Sequence, residues 1–422
     1  MTARLLLANA LELWVGVGVA TILRAPLGVS YLAGLALVGV VSAHLGLVHV
    51  TVGWIGLAVL AVIATPFALR ARPRLRIGNP LTWAGIAALV ALLVRAWPTF
   101  AAKPLDDYDS WAIWGSKAKA LTLLGWADPK FFAVSAADPI QRAYPLVVPS
   151  LEAVGARAMG SFDPRLIHLQ FLLFGVAGIA ALHAFLRERV ASWLLWPLLV
   201  ALAAAPAFLG QLLTAYADVP LALFVAAGLL AGARWLEDGE PRTLALMTLF
   251  LATAALTKPE GILFAAAAYV GLALASRSVR MLAISAAVVL VVLAPWELWV
   301  LVHHVPAGTS ISLTSPDLSH PGIAPLAFKA LLGKLFSFDQ WPLLAPLFLL
   351  AVLTAARSAA AVFAWAWALL SILFLTAVYV VSRVEWSNYF AFSGSRVVVS
   401  VIVGATALTP LLLGEGLRIR RR

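Results

Sequence analysis

Three carboxylates fall within the run Lys103-Pro104-Leu105-Asp106-Asp107-Tyr108-Asp109-Ser110-Trp111-Ala112-Ile113-Trp114, in a chain with only 19 acidic residues among 422. A carboxylate in such a run can take a proton from a hydroxyl, and nearby Lys or Arg can receive the charge of a departing phosphate. The plainer alternative is that Asp109 caps a helix starting at Ser110 and that its neighbours are solvated loop charges. A second acid, in Tyr216-Ala217-Asp218-Val219-Pro220, enters an otherwise apolar helix, where an ionisable group is costly enough to suggest a role. Its alternative is again an N-cap, with Val219-Pro220 as the first turn. In Thr257-Lys258-Pro259-Glu260-Gly261, Lys258 and Glu260 either pair as interfacial charges or present Lys258 to a phosphate.

Other cations of the same kind are Arg142 ahead of Tyr144-Pro145-Leu146, Lys117 with Lys119, and Arg396, which follows Arg383 and Glu385. His303, His304 and His320 lack the spacing of metal ligands, so no cofactor is expected. A divalent metal would be compatible with the chemistry, but nothing in the sequence indicates one. With no cysteine, thiolate chemistry and Cys-ligated metals are excluded. No glycine-rich strand-to-helix unit or P-loop is present, which argues against a nucleotide-sugar donor on a Rossmann fold.

The elements that must position these residues are transmembrane helices. Hydrophobic residues make up 63% of the chain, charged residues only 12%, and the mean hydropathy is +0.98. Soluble domains use about 45–50% apolar and about 25% charged residues. Apolar stretches close to the bilayer length recur throughout, giving an all-α polytopic membrane protein. Thirteen helices are expected, at Leu5–Leu23, Leu27–Leu47, Val50–Leu69, Leu81–Pro98, Leu166–Leu186, Ser192–Leu212, Val219–Leu236, Leu244–Leu256, Ile262–Ala275, Met281–Val302, Pro342–Ala356, Ala359–Val381 and Val397–Leu413. The first reads as a retained helix, not a signal peptide. Residues 1–80 form an amino-terminal helical part, 81–275 a central module with the outer loop 99–165, and 276–422 a carboxy-terminal part with the outer loop 303–341.

The net charge of +11 comes largely from Arg clusters beside apolar segments, the pattern of the positive-inside rule, and not from a nucleic-acid-binding surface. Arg70, Arg72, Arg74 and Arg76, and the terminal Arg418, Arg420, Arg421 and Arg422, should be cytoplasmic. An even number of crossings then separates every pair of basic loops, and the two long loops, the amino terminus and all three acidic motifs face outward. In the first outer loop, Trp111, Trp114, Ala118 and Leu121 recur at helical spacing with Lys117 and Lys119 beside them, which predicts a helix lying on the membrane surface over Ser110–Leu124. Tyr144–Met159, interrupted by Pro145 and Pro149, is expected to be a second surface helix.

Taken in order, these motifs resemble the GT-C superfamily of membrane glycosyltransferases, which includes protein O-mannosyltransferases, aminoarabinose transferases and Rgt-type sugar transferases. The resemblance runs from about Leu81 to Gly261. It rests on Asp106-Asp107-Tyr108-Asp109 after an outward-going helix, a surface helix ending in Gly125, Tyr144-Pro145-Leu146, Tyr216-Ala217-Asp218-Val219-Pro220 and Thr257-Lys258-Pro259-Glu260-Gly261. It implies sugar transfer from a polyprenyl-phosphate donor to a lipid, glycan or protein acceptor outside a bacterial cytoplasmic membrane. Carried onto this chain, Asp107 is the base, with Asp106 and Asp109 as rivals, and Asp218 is the second carboxylate. Arg142 and Lys258, with Tyr144, Glu260, Lys117 and Arg396, are the substrate and phosphate contacts. The competing class, a transporter or lipid-linked-sugar flippase, needs ionisable groups at mid-membrane, whereas the notable charges here cluster at the outer interface and Glu12 and Glu297 are the few that fall inside apolar stretches.

Overall fold

The computed structural model describes residues 1–72, 79–133, 141–276, 278–306, 321–382 and 386–419. All regular structure among them is helical: α1 (Thr2–Ile22), α2 (Ser30–Leu47), α3 (Trp54–Ala68), α4 (Pro80–Ala102), α5 (Ser116–Leu124), α6 (Pro129–Ala133), α7 (Val147–Met159), α8 (Pro164–Leu186), α9 (Ser192–Ala204), α10 (Pro206–Leu213), α11 (Asp218–Asp238), α12 (Pro241–Ala255), α13 (Pro259–Ala275), α14 (Val279–Val302), α15 (Ala324–Leu335), α16 (Leu344–Thr354), α17 (Ala359–Val380) and α18 (Trp386–Ile419). Each of the thirteen apolar segments is helical, with Ser192–Leu212 broken into the pair α9 and α10. Among the described residues eight are long and apolar enough to cross a membrane, or nine if the bent pair α9–α10 is one span. The other four, α3, α12, α13 and α16, are shorter. The chain is therefore a multi-pass helical membrane protein.

Local chemistry sets the ends of these helices. Asn79 and Asp163 accept backbone N–H bonds at the starts of α4 and α8, each followed by proline at the first helical position. Gly125, Gly160 and Gly239 take left-handed backbone angles (φ 91°, 86° and 64°) that close α5, α7 and α11. Pro206 drives Ala205 out of helical geometry, and α9 and α10 meet at 50°.

Packing follows from small residues. A Cβ at Gly16 would lie 1.7 Å from the Ser30 carbonyl oxygen, and one at Gly34 only 1.9 Å from that of Glu12, so α1 and α2 touch backbone to backbone. The helices α11 and α18 are almost wholly enclosed, whereas α4 exposes Leu81, Trp83, Ile86, Val90, Val94 and Trp97 as a lipid-facing stripe. The helix ends sort into two poles. Met1 shares a surface hollow with Pro104 and Ser161–Arg165, while Arg24, Arg70, Arg72, Arg187 and Arg234 surround another. For the residues in these two hollows, the grouping agrees with the charge counting. Arg74, Arg76, Arg418 and Arg420–Arg422 belong to the argument, but their side chains lie outside the described residues.

Four elements differ from expectation. The helix α7 is not laid on a surface: eleven of its thirteen residues are buried, wedged among α1, α2, α5 and α8. Within the Ser110–Leu124 segment, Ser110–Gly115 is a π-helical turn. The wider turn rotates Trp111 out of the apolar stripe, leaving it 52% exposed while Trp114, Ala118 and Leu121 are fully buried. The second long loop contains α15, which buries Ala327, Leu331 and Leu335, one turn apart, toward α17 and α18. Finally, α18 begins at Trp386 instead of Val397, so Arg396 lies inside a helix and not in a loop.

Candidate active site

Asp218 is the first residue of α11, after a left-handed turn at Ala215. Lys258 precedes Pro259 in extended conformation (φ −150°, ψ 156°), as a residue before proline prefers, and stands at the start of α13. The turn between α12 and α13 closes only because residue 261 is glycine: a Cβ there would fall 1.9 Å from the Ala254 carbonyl oxygen. The closure sets Lys258 Nζ 2.8 Å from Asp218 Oδ1 and 3.5 Å from Glu260 Oε1, with all three side chains buried.

Arg396 reaches the same place from α18. Its Nη2 is 3.1 Å from Asp218 Oδ2, its Nη1 is 2.5 Å from Asp109 Oδ2, and its guanidinium lies over the Tyr216 ring, 4.2 Å from the centroid. One arginine thus ties together two acids far apart in the chain. Such a charge-assisted, forked contact suits Arg and not Lys. The capping alternatives do not hold. Asp109 makes no side-chain cap bond, the N-cap of α11 is Ala217, and both carboxylates are taken by cations.

The rest of the acidic run stands beside this cluster and is more open. Lys103 Nζ is 2.6 Å from Asp107 Oδ2 and 3.5 Å from Asp106 Oδ1, and the side chains of Asp107 and Asp106 are 32% and 58% exposed. Ser110 Oγ donates to the Asp107 carbonyl, which holds the backbone of the motif in place. The Lys103 carbonyl lies 2.9 Å from His168 Nδ1 of α8. Burial lowers the Lys103 pKa, but bonding to Asp107 and the charge of Asp106 outweigh it, and the group is held above the usual lysine value. Lys258 behaves likewise: burial pulls it down, Asp218 and Glu260 pull it up, and the upward pull wins. Tyr108 and Trp111 meet edge to face at 5.5 Å on the exposed side of the motif.

Not every candidate is in the cluster. Lys117 is buried and donates to the carbonyls of Gln141 and Tyr144, both at 2.8 Å, so it braces the loop ahead of α7. Burial drives its pKa well below the lysine norm. Arg142 is also buried and donates to the Phe132 carbonyl at 3.3 Å. The Tyr144 ring packs on Trp114 at 5.8 Å, and burial, with the charge of Glu260, raises its pKa well above that of free tyrosine. His303 packs on Trp299 at 4.7 Å, and His320, Arg383 and Glu385 lie outside the described residues. Among the described residues no three His, Asp or Glu side chains are placed to share a metal ion.

Tyr216 and Tyr379 carry no role in the sequence reading, and Lys103 figures there only as the lysine at the head of the acidic run. Tyr379 shares a 2.8 Å hydrogen bond with Ser393 of α18, close enough to Arg396 and Asp218 to feel their charges. For Lys103 the signal was its spacing from Asp107, one helical turn on. For Tyr379 there was none, since it ends an apolar helix like many other interfacial aromatics. The chain matches no known protein family, no curated protein and no solved structure.

Proposed function

We propose that the chain is a membrane glycosyltransferase of GT-C type that moves a sugar from a polyprenyl-phosphate donor to a lipid, glycan or protein acceptor on the outer side of the membrane. The observation that carries this reading is the juxtaposition of two partly open carboxylates, Asp106 and Asp107, with a buried acid–cation cluster built from four separate parts of the chain. In the proposed reaction the acceptor oxygen bonds to the anomeric carbon while the bond from that carbon to the phosphate oxygen breaks. The electron pair leaves with polyprenyl phosphate, and the hydroxyl proton passes to Asp107. The resemblance implies inversion at the anomeric carbon. Lys103 is the most accessible cation beside the base and the first candidate to meet the phosphate, while Arg396 and Lys258 fix the acids. Arg142 and Lys117 act at one remove by holding the loop before α7.

An apolar groove of about 420 Å³ between α4, α8, α9 and α10 supports a long hydrocarbon substrate. It includes Ala96 and Leu212, which lie shortly before Lys103 and Asp218 in the chain. In this reading all thirteen apolar helices cross the bilayer and the pole bearing Asp107 faces outward. The test is to incubate membranes containing the chain with radiolabelled polyprenyl-phosphate sugars and follow release of polyprenyl phosphate. Turnover of none of the hexose or pentose donors would remove the proposal. Lys103→Ala should weaken binding of polyprenyl phosphate itself about tenfold or more, as expected for loss of a charge-assisted hydrogen bond, and unchanged affinity would take Lys103 out of the site.

A carrier reading draws on one observation: Glu12 is fully buried in α1 with neither carboxylate oxygen bonded. Glu152 of α7 is also buried, with Oε2 unbonded and its pKa pushed well up by burial. Proton-coupled carriers use buried acids of this kind. Glu12→Gln discriminates the two. As a neutral isostere outside the proposed site, it should leave sugar transfer per folded molecule unchanged. Abolished proton-linked uptake in vesicles would favour the carrier.

A further inference from the structure

Helices α2, α3, α5 and α7 surround a hollow of about 840 Å³ that none of the ion-paired residues lines. Its wall is apolar, built from Val41, Leu45, Val59 and Leu60, and its rim carries Thr51, Thr122 and Ser161. Arg157 is the one charged side chain among its lining residues. The guanidinium Nε is buried without a hydrogen-bond partner, and Arg157 forms no ion pair with a described residue. Two glycines make room for it: Arg157 Cδ would lie 2.9 Å from a Cβ at Gly53, and Nη2 would lie 3.2 Å from one at Gly125. Packing therefore fixes the arginine in place while its buried Nε–H stays unused. Desolvating such a donor without a partner costs free energy, so the arrangement suits an anion.

Several features identify the anion as the headgroup of a lipid. The apolar wall leads away from the guanidinium along the α2–α3 pair, as a fatty chain would. Trp54, 53% exposed at the start of α3, marks the depth at which headgroups sit. Arg4, near Gly160 on the rim, adds a second cation. No acid lines the hollow to match the positive group of a zwitterionic headgroup. We infer that this hollow binds an anionic phospholipid, with its phosphate on Arg157 and one acyl chain between α2 and α3. The inference is independent of sugar transfer.

Native mass spectrometry of the full chain in mild detergent, titrated with phosphatidylglycerol, phosphatidylcholine or inorganic phosphate, tests it. Phosphatidylglycerol should be retained in preference to phosphatidylcholine, and inorganic phosphate should not displace it. Arg157→Gln should weaken retention about ten- to a hundredfold, the worth of a hydrogen bond to a charged group. Val59→Trp, at a position 53% exposed, should narrow the wall and also lower retention while Arg157 stays in place. It keeps the test decisive if the arginine variant fails to fold. Unchanged retention in the folded variants, equal retention of the two lipids, or displacement by inorganic phosphate alone would each overturn the inference.

Discussion

Asp107→Asn should leave the protein folded and donor lipid bound, and should lower turnover by about 10²- to 10⁴-fold, the usual worth of a positioned general base. Asn keeps the size of Asp and can still accept a hydrogen bond from Lys103, now 2.6 Å from Asp107 Oδ2, but it cannot take a proton. The measurement is single-turnover transfer from radiolabelled donor alongside a binding assay with polyprenyl phosphate. Asp106→Asn should be milder, because Asp106 is more exposed and lies farther from Lys103. Asp109→Asn should act mainly on stability, because its carboxylate faces Arg396. Undiminished transfer by the Asp107 variant would move the base elsewhere, and equal losses of folded protein in all three would make the run structural.

Replacing Arg396 should have the largest effect on stability. Arg396→Gln removes the cation between Asp218, 3% exposed, and Asp109, 19% exposed. Removing one partner of a buried ion pair typically costs about 3–5 kcal/mol, because the other charge is left in a poorly solvated place. Asp218 retains Lys258 at 2.8 Å and Asp109 has some access to water, so the lower end, about 3 kcal/mol, is expected. Denaturant or thermal unfolding in micelles reads the loss. Adding Asp218→Asn should recover part of it, since the charge left buried is then removed. Wild-type stability in the single variant would mean that the cluster does not hold these helices together.

Helix positions were legible wherever an apolar run was bounded by Pro, Gly or Arg, because those residues act locally on the backbone. What a run of apolar residues cannot reveal is burial by protein as opposed to lipid. Tyr144–Met159 is short and interrupted by Pro145 and Pro149, which suggests a surface, yet Gly39 of α2 leaves room for Val147 and Leu151 to pack against it. The same limit applies to Trp111, which fits the apolar spacing of an α-helix but not of the π turn that forms. For the site, the acidic motifs and the Thr257–Gly261 turn announced themselves through charge in an apolar chain. Their mutual geometry did not, since it depends on Arg396, whose position seemed ordinary as long as the last helix was taken to begin after it. Lys117 and Arg142 illustrate the converse: a cation near a motif can be consumed by backbone carbonyls, and only three-dimensional packing reveals that.

The placement of Arg396 on α18 also bears on biogenesis. A nascent chain inserted through α17 already holds Asp109, Asp218 and Lys258, but not the guanidinium that joins the first two. Two acids from different parts of the chain must therefore wait for their shared counter-ion until α18 has been made. Assembly of the site is in this way deferred to the arrival of the last described helix, and a prematurely terminated product is left with the acids but without the bridge between them.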